Sequence, residues 1–327
     1  MENLNTTATL SSEMKTFYDL TLIDEAQASL VHDQFGQKRP IPAGNGKTIE
    51  FRKFAPLAKA ITPLTEGVTP SGNNLSVSTV TATVSQYGDY VTQTDMLELT
   101  AVDNTVVEAA KLLGRQAGLT LDTVVRNVMQ SGTNVTYCPS IGPDGTEYEV
   151  DARSALEETS QLTVDVVQQV VAKLRAQNAP TIGGKYIAIV HPYVAYDLMR
   201  DPEWVAAHKY GKPENLYAGE IGEIAGVRFV QSTEAKIYKG PEDDCPTGLA
   251  VFGSLFFGDG AYGVTDIAGG GLEIIVKQKG SGGTADPLDQ RSSVGWKAIK
   301  TAELLVPNYL VRVESVSKRF SEVAEAN

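Results

Sequence analysis

Histidine and cysteine are scarce in this chain, and that scarcity narrows the chemistry open to its 327 residues. The three histidines, His32, His191 and His208, show neither an HExxH pattern nor a paired spacing suited to a metal. His191 precedes Pro192 and reads as a structural turn residue. The two cysteines, Cys138 and Cys245, lie far apart without CxxC spacing, which favours a reduced, intracellular chain over a disulfide scaffold. No nucleophile signature surrounds Cys138. No apolar run reaches the roughly 20 residues of a membrane span. Residues 1–20 lack the basic start, apolar centre and small-residue cleavage pattern of a signal peptide. The Asn134-Val135-Thr136 sequon has meaning only in a secretory pathway, which nothing else in the sequence indicates. Lys/Arg runs with interleaved aromatics are missing as well. The net charge of −12 works against general binding to a phosphate backbone.

The glycine-rich segments add no chemistry. Gly46-Lys47-Thr48 looks like the end of a phosphate-binding loop. However, the position five before Gly46 is Ile41, Pro42 intervenes, and a strand follows where the loop would need a helix start. Gly258-Asp259-Gly260 and Gly269-Gly270-Gly271 lack a strand–glycine–helix context and read as turns. Glu242, Asp243 and Asp244 read as a solvated loop. No catalytic, cofactor-binding or metal-binding residue is expected, and the chain does not read as an enzyme.

What is present is architecture. Phe51–Asp95 is rich in Thr, Val and Ser, and is broken by Pro and Gly. Val80, Ala82 and Val84 alternate with Thr79, Thr81, Thr83 and Ser85, the period of a strand with one apolar face. Its middle, Thr62–Gly72, has little to bury, so the stretch reads as a long projecting β-excursion with no partner in its own chain. An isolated hairpin of this kind is marginal without a second layer. Before it, residues 1–20 read as a polar arm, followed by a short helix around Asp24–Phe35 and a strand at Thr48–Phe54.

Asp103–Ser131 carries the strongest helical pattern, with Val106, Ala109, Ala110, Leu113, Ala117, Leu121, Val124, Val125 and Val128 on one face. Thr105 and Glu108 have capping-box spacing, and Asp122 with Arg126 reads as an outer-face i,i+4 pair. At about 1.5 Å per residue this helix spans roughly 40 Å. Gly114 and Gly118 each cost about 1 kcal/mol of propensity, and their one-turn spacing suggests a closely crossing backbone.

Cys138–Glu158 reads as a loop, with a turn at Pro143-Asp144-Gly145. A second helix is expected over Thr163–Gln177, a buried strand over Tyr186–Val190, and short helices after His191 and from Trp204. Further strands are expected at Glu223–Gln231, Leu249–Phe257, Leu272–Lys277, Ser293–Glu303 and Tyr309–Ser317. Helices and strands mix without regular βαβ units, so the class is α+β.

Eight segments stand out in order: Gly46–Leu57, Thr62–Pro70, Gln86–Val91, Gly114–Asp122, Ser131–Tyr137, His191–Trp204, Gly219–Thr233 and Asp286–Ala298. Together they resemble the major capsid proteins of tailed double-stranded DNA phages, and in particular the family typified by phage N4. The resemblance covers most of the chain from Leu22 onward and implies the HK97 shell fold. It implies an N-terminal arm (1–45), an extended β-hairpin or E-loop (46–98), a peripheral domain (99–160) with its spine helix (103–131), an axial domain (161–255), and strands returning to the peripheral domain (256–327).

It further implies self-assembly through pentamers and hexamers into an icosahedral shell around double-stranded DNA held without sequence-specific binding. It implies portal and possible scaffold or decoration partners, no membrane, and assembly in the host bacterial cytoplasm. A nanocompartment shell of the same fold, enclosing a protein cargo, is the alternative. Expected intersubunit E-loop contacts are Thr62, Pro63, Leu64, Thr65, Glu66, Gly67, Val68, Tyr87 and Tyr90. Gly114 and Gly118 are expected to pack closely on the spine helix. The short arm leaves no room for a cleaved scaffolding segment. Lys59 has no asparagine assigned to it, so covalent cross-links are not expected.

Overall fold

The computed structural model describes residues 30–42, 44, 46–54, 57, 59–64, 66–69, 72–100, 105–209, 222–267, 270–281 and 286–327. The arm expected at 1–20, the start of the Asp24–Phe35 helix, the first two residues of the Asp103–Ser131 helix and Gly269 of the glycine run lie outside them.

The larger of two main sheets has seven strands. Its order is β5 (Val135–Tyr137), β16 (Leu310–Val316), β12 (Val251–Phe257), β8 (Tyr186–Val190), β10 (Val227–Gln231) and β9 (Glu223–Ile224), with β11 (Ile237–Tyr238) added on β12. β8 and β10 run parallel with Tyr186 opposite Val227, and β12 lies antiparallel on both β8 and β16. The central strands are continuous apolar runs because both faces are covered. Tyr186, Ala188, Phe252, Phe256, Val311 and Val313 cluster with α3 (Val164–Ala176), α4 (Pro192–Met199) and α5 (Pro202–Lys209). Ile187, Ile189, Leu255, Phe257 and Leu310 turn the other way, onto Val125 and Met129 of α2 (Thr105–Gln130). Successive strand residues alternate between the two cores, as the pleat requires.

Local signals set the helix starts. The Thr163 hydroxyl accepts from the Val166 N–H and caps α3, whose Val164, Val167, Val170, Val171 and Leu174 are all buried. His191 Nδ1 accepts from the Tyr193 N–H ahead of α4, with Pro192 in the first turn where its missing N–H costs nothing.

The second sheet joins β1 (Gln37–Lys38), β13 (Tyr262–Asp266), β15 (Arg291–Leu304) and β14 (Glu273–Lys277), with β4 (Ser85–Thr94) also on β15. The first half of α2 packs on it, placing Ala110, Leu113, Ala117 and Leu121 against Ile274, Val294, Trp296 and Ala298. At 26 residues, α2 is about 39 Å long, and it bridges both sheets. Two separate two-stranded pairings also lie among the described residues: β2 (Thr48–Phe54) with β3 (Val77–Thr83), and β6 (Ser140–Ile141) with β7 (Glu147–Tyr148). α1 (Asp95–Thr100) follows β4.

Several expectations are corrected. Asp122 and Arg126 are not an outer-face pair: they are 0 % and 2 % exposed. Asp122 instead accepts from the Val31 and His32 N–H groups (2.9 and 2.7 Å) and from His32 Nδ1 (2.6 Å). Arg126 donates to the Glu234 and Asn327 carbonyls and to the Asn127 side chain. Spacing places two residues on one helix face, but the tertiary fold decides whether that face meets water.

The same contact makes Val31–Phe35 a turn rather than a helix, because Asp122 takes the N–H groups of Val31 and His32. Glu223–Gln231 is a hairpin, folded at Ala225-Gly226 with both φ positive (+53° and +80°). The Cys138–Glu158 loop contains the β6–β7 hairpin, closed by the expected Pro143–Gly145 turn. β16 lies in a different sheet from its sequence neighbours β13, β14 and β15. It pairs with β12 and β5 in the first, a choice made by long-range register and invisible in local pattern.

Candidate assembly surface

The β-excursion divides in two. β4 pairs with β15 across ten residues, from Ser85 opposite Lys300 to Thr94 opposite Arg291, so this half has its partner inside the chain. β2 and β3 form the other half, an antiparallel hairpin from Thr48 opposite Thr83 to Phe54 opposite Val77. Phe51, Ala82 and Val84 are buried at its root, while the threonines at 79, 81 and 83 are exposed. The Phe51 ring fills space left by Gly263, where an added Cβ would lie 2.9 Å from it.

Beyond Phe54 the connection carries no strand until Val77 among the described residues, and its apolar side chains stand in water. Leu57, Ile61, Leu64, Val68 and Leu75 are all more than half exposed, with Ile61 at 83 % and Leu64 at 77 %. A run of apolar side chains this open is the mark of a surface that meets something. Gly67, with φ of +78°, makes the turn after Glu66.

Of the expected contact residues, Thr62, Pro63, Leu64, Glu66, Gly67 and Val68 are exposed along this loop, and Thr65 lies outside the described residues. Tyr90 is 70 % exposed on β4. Tyr87 is half-buried and packs into the chain's own cluster of α2 and β15. The structure therefore does not bring Tyr87 to the loop. Beside it, Asp89 accepts from Gln116 Nε2 at 2.7 Å, tying β4 to α2. That hydrogen bond, then one from the Tyr90 N–H, holds the Asp89 carboxyl below its ordinary range. Gly114 and Gly118 are both buried on α2. The opposite side of that helix is open: Leu112, Arg115, Leu119, Thr120 and Val124 line a shallow groove, with Leu112 66 % exposed.

The polar candidates do not converge. Lys47 enters β2, and its carbonyl accepts from the Val84 N–H. Gly258–Gly260 is the turn between β12 and β13, where a Cβ on Gly258 would lie 2.2 Å from the Pro180 oxygen. His32 is buried on Asp122, and His191 caps α4, where burial lowers its pKa to about 4. Both cysteines are free thiols; burial pushes Cys138 far up and Cys245 up to about 11. Among the described residues no group of three His, Cys, Asp or Glu could hold a metal, and no helix is long and apolar enough to cross a membrane.

Residues 77–309 match the family model described as phage capsid protein. No curated protein matches the sequence significantly. Similar solved structures include the capsid of the cyanophage P-SCSP1u, at 15% identity and TM-score 0.63 with 87% of each chain covered. The capsid of Ralstonia phage GP4 gives 14% identity and TM-score 0.64 with 88% of each chain covered. The capsid of cyanophage Pam1 gives 12% and 0.63, covering 90% of this chain and 92% of that one. At such identities the structures speak for the fold, which is HK97-like, and the family model speaks for membership. The chain belongs to the phage capsid protein family and is a major capsid protein of the virion shell.

Proposed function

We propose that this protein closes its shell by laying the β2–β3 loop, and with it Thr62–Val68, over a neighbouring copy, with Tyr90 at the edge of the contact. The observation that carries this is the row of exposed apolar side chains from Leu57 to Leu75 on a hairpin whose root is firmly packed. Covering an aliphatic side chain fully is worth about 1.5–3 kcal/mol, and a shell repeats the contact in every subunit, so modest pairwise attraction suffices for closure. The open groove of Leu112, Leu119 and Val124 on α2 has the apolar character such a loop needs.

On this reading residues 46–84 are the E-loop and β4 is its anchor. α2 is the spine of a peripheral domain with β4, β13, β14 and β15, and residues 161–255 with β16 make the axial domain. Residues 1–45 are the N-terminal arm, and Gly114 and Gly118 admit a close neighbour along the spine. Membership of the phage capsid family favours a genome container over an enzyme compartment. The shell accordingly forms from pentamers and hexamers in the host bacterial cytoplasm, encloses double-stranded DNA without reading its sequence, and meets a portal, with room in the same proposal for scaffold or decoration proteins. The N4-type subdivision belongs to the same proposal.

Negative-stain microscopy of the expressed chain, with and without Thr62–Gly72, tests it. Uniform icosahedral particles are expected from the full chain. No particles are expected from the deletion, whose circular dichroism remains that of a folded body. Normal particles from the deletion defeat the clamp, and a stable monomer of the full chain under all conditions defeats the shell reading.

A further inference from the structure

At the root of the hairpin lies a cleft of about 210 Å³ lined by Arg39, Phe51, Arg52, Lys53, Val80 and Val306, among others. Its floor is apolar: Phe51 is 4 % and Val306 9 % exposed. Its rim is cationic. The Arg39 guanidinium stands 5.8 Å from the Phe51 ring centre, and the Lys53 ammonium 5.7 Å from that of Tyr309. Among the described residues no Asp or Glu lines the cleft, and neither Arg39 nor Lys53 has an ion-pair partner. The third cation on the cleft, Arg52, approaches Glu50 at 3.9 Å, and Lys38, next to Arg39, pairs with Asp33 at 3.4 Å.

A cation over an aromatic face at an exposed site gains only about 0.5–1 kcal/mol, less than a well-formed pair with an anion offers. In a chain with 28 Lys and Arg against 40 Asp and Glu, two cations left without a carboxylate above an apolar floor are an unfilled site. The volume is below the roughly 300–1,000 Å³ of small-molecule pockets and suits one planar anionic group. A guanidinium beside an ammonium is a donor set that a carboxylate accepts from well. A nucleic-acid strand presents a row of phosphates and is followed by a row of cations along an extended groove, not by one small cleft.

We propose that this cleft is a socket for an Asp or Glu side chain from a second copy of the chain. The inference rests on the shell reading, with the hairpin as the intersubunit element. It also answers a physical difficulty of that reading. Copies that each carry a net charge of −12 repel one another, and a cationic socket at the contact converts part of that repulsion into a directed attraction.

The test uses particles assembled from an equal mixture of heavy-isotope-labelled and unlabelled chain. A water-soluble carbodiimide activates carboxylates and joins them to an ammonium within reach, with loss of the corresponding urea. The expected product is a Lys53 peptide linked to an Asp- or Glu-bearing peptide, half of the links being of mixed isotope. In parallel, the double variant Arg39→Gln, Lys53→Gln is expected to need about tenfold more protein for half-maximal assembly, with unchanged circular dichroism. Lysines elsewhere linking across copies while Lys53 does not would overturn the proposal. So would Lys53 being shielded from acetylation only in DNA-filled particles, which assigns the cleft to phosphate. Absence of any particles from the unaltered chain defeats the shell reading itself, a result distinct from an unlinked Lys53 in well-formed shells.

Discussion

The loop between β2 and β3 and the central strands of the seven-stranded sheet use similar apolar residues and treat them in opposite ways. Every residue of Tyr186–Val190 and Val251–Phe257 is buried. Along the loop Leu57, Ile61, Leu64, Val68 and Leu75 face water. The sheet finds its covering layers within the chain, in α3 and α4 on one face and α2 on the other. The loop has no such layer among the described residues. Folding free energy is thus concentrated in the body, and the loop's share is held back for contact with something else.

Four substitutions press on that contrast. Phe256→Ala, in the doubly covered strand, is expected to destabilise the isolated chain by about 3–5 kcal/mol in denaturant unfolding; a cost below about 1 kcal/mol would show that the sheet core is loosely held. Asp122→Ala strips His32 and two backbone N–H groups of a buried partner, and a loss of about 3 kcal/mol is expected by the same measurement.

His191→Asn has its effect on acid stability. Burial lowers the His191 pKa from 6.5 to about 4, so the unfolded chain takes up a proton that the folded chain refuses. Stability contributed by the neutral ring is complete above about 6.5 and falls as the pH drops toward about 4, below which the loss levels off. Asn keeps the cap without the titration, and thermal melts across this window should show a shallower acid slope. Leu64→Ala is expected to shift the isolated chain by less than about 0.5 kcal/mol while weakening assembly. A large destabilisation of the unassembled chain would mean that the loop is packed at home and would erase the contrast.

How much of this was legible follows from how local each signal is. Thr48–Phe54 and Val164–Ala176 could be read because Pro42 and Gly46, or Thr163 and the valine spacing, sit within a few residues of the element they delimit. The exposed loop was legible for the same reason, from the prolines and glycines between Thr62 and Gly72. Asp122 was misread because its partners, Val31 and His32, lie about ninety positions earlier. The Glu223–Gln231 hairpin was hidden because Ala225 turns it with a positive φ, a conformation its side chain does not advertise. The Tyr262–Asp266 strand escaped notice because its alternation is short and its role is set by β15. Arg39 and Lys53 come from separate segments, so their shared cleft exists only once β2 is folded against the body.

The continuity of β3 into β4 has a mechanical consequence. Only Val84 separates the hairpin from the ten-residue ladder on β15. A pull on the loop, such as an expanding or pressurised container would exert, travels down β3 and reaches that ladder lengthwise. Strands loaded along their axis must give up their cross-strand bonds together, whereas strands peeled from one end lose them singly. The stitch between β4 and β15 therefore works as a shear joint under such a load.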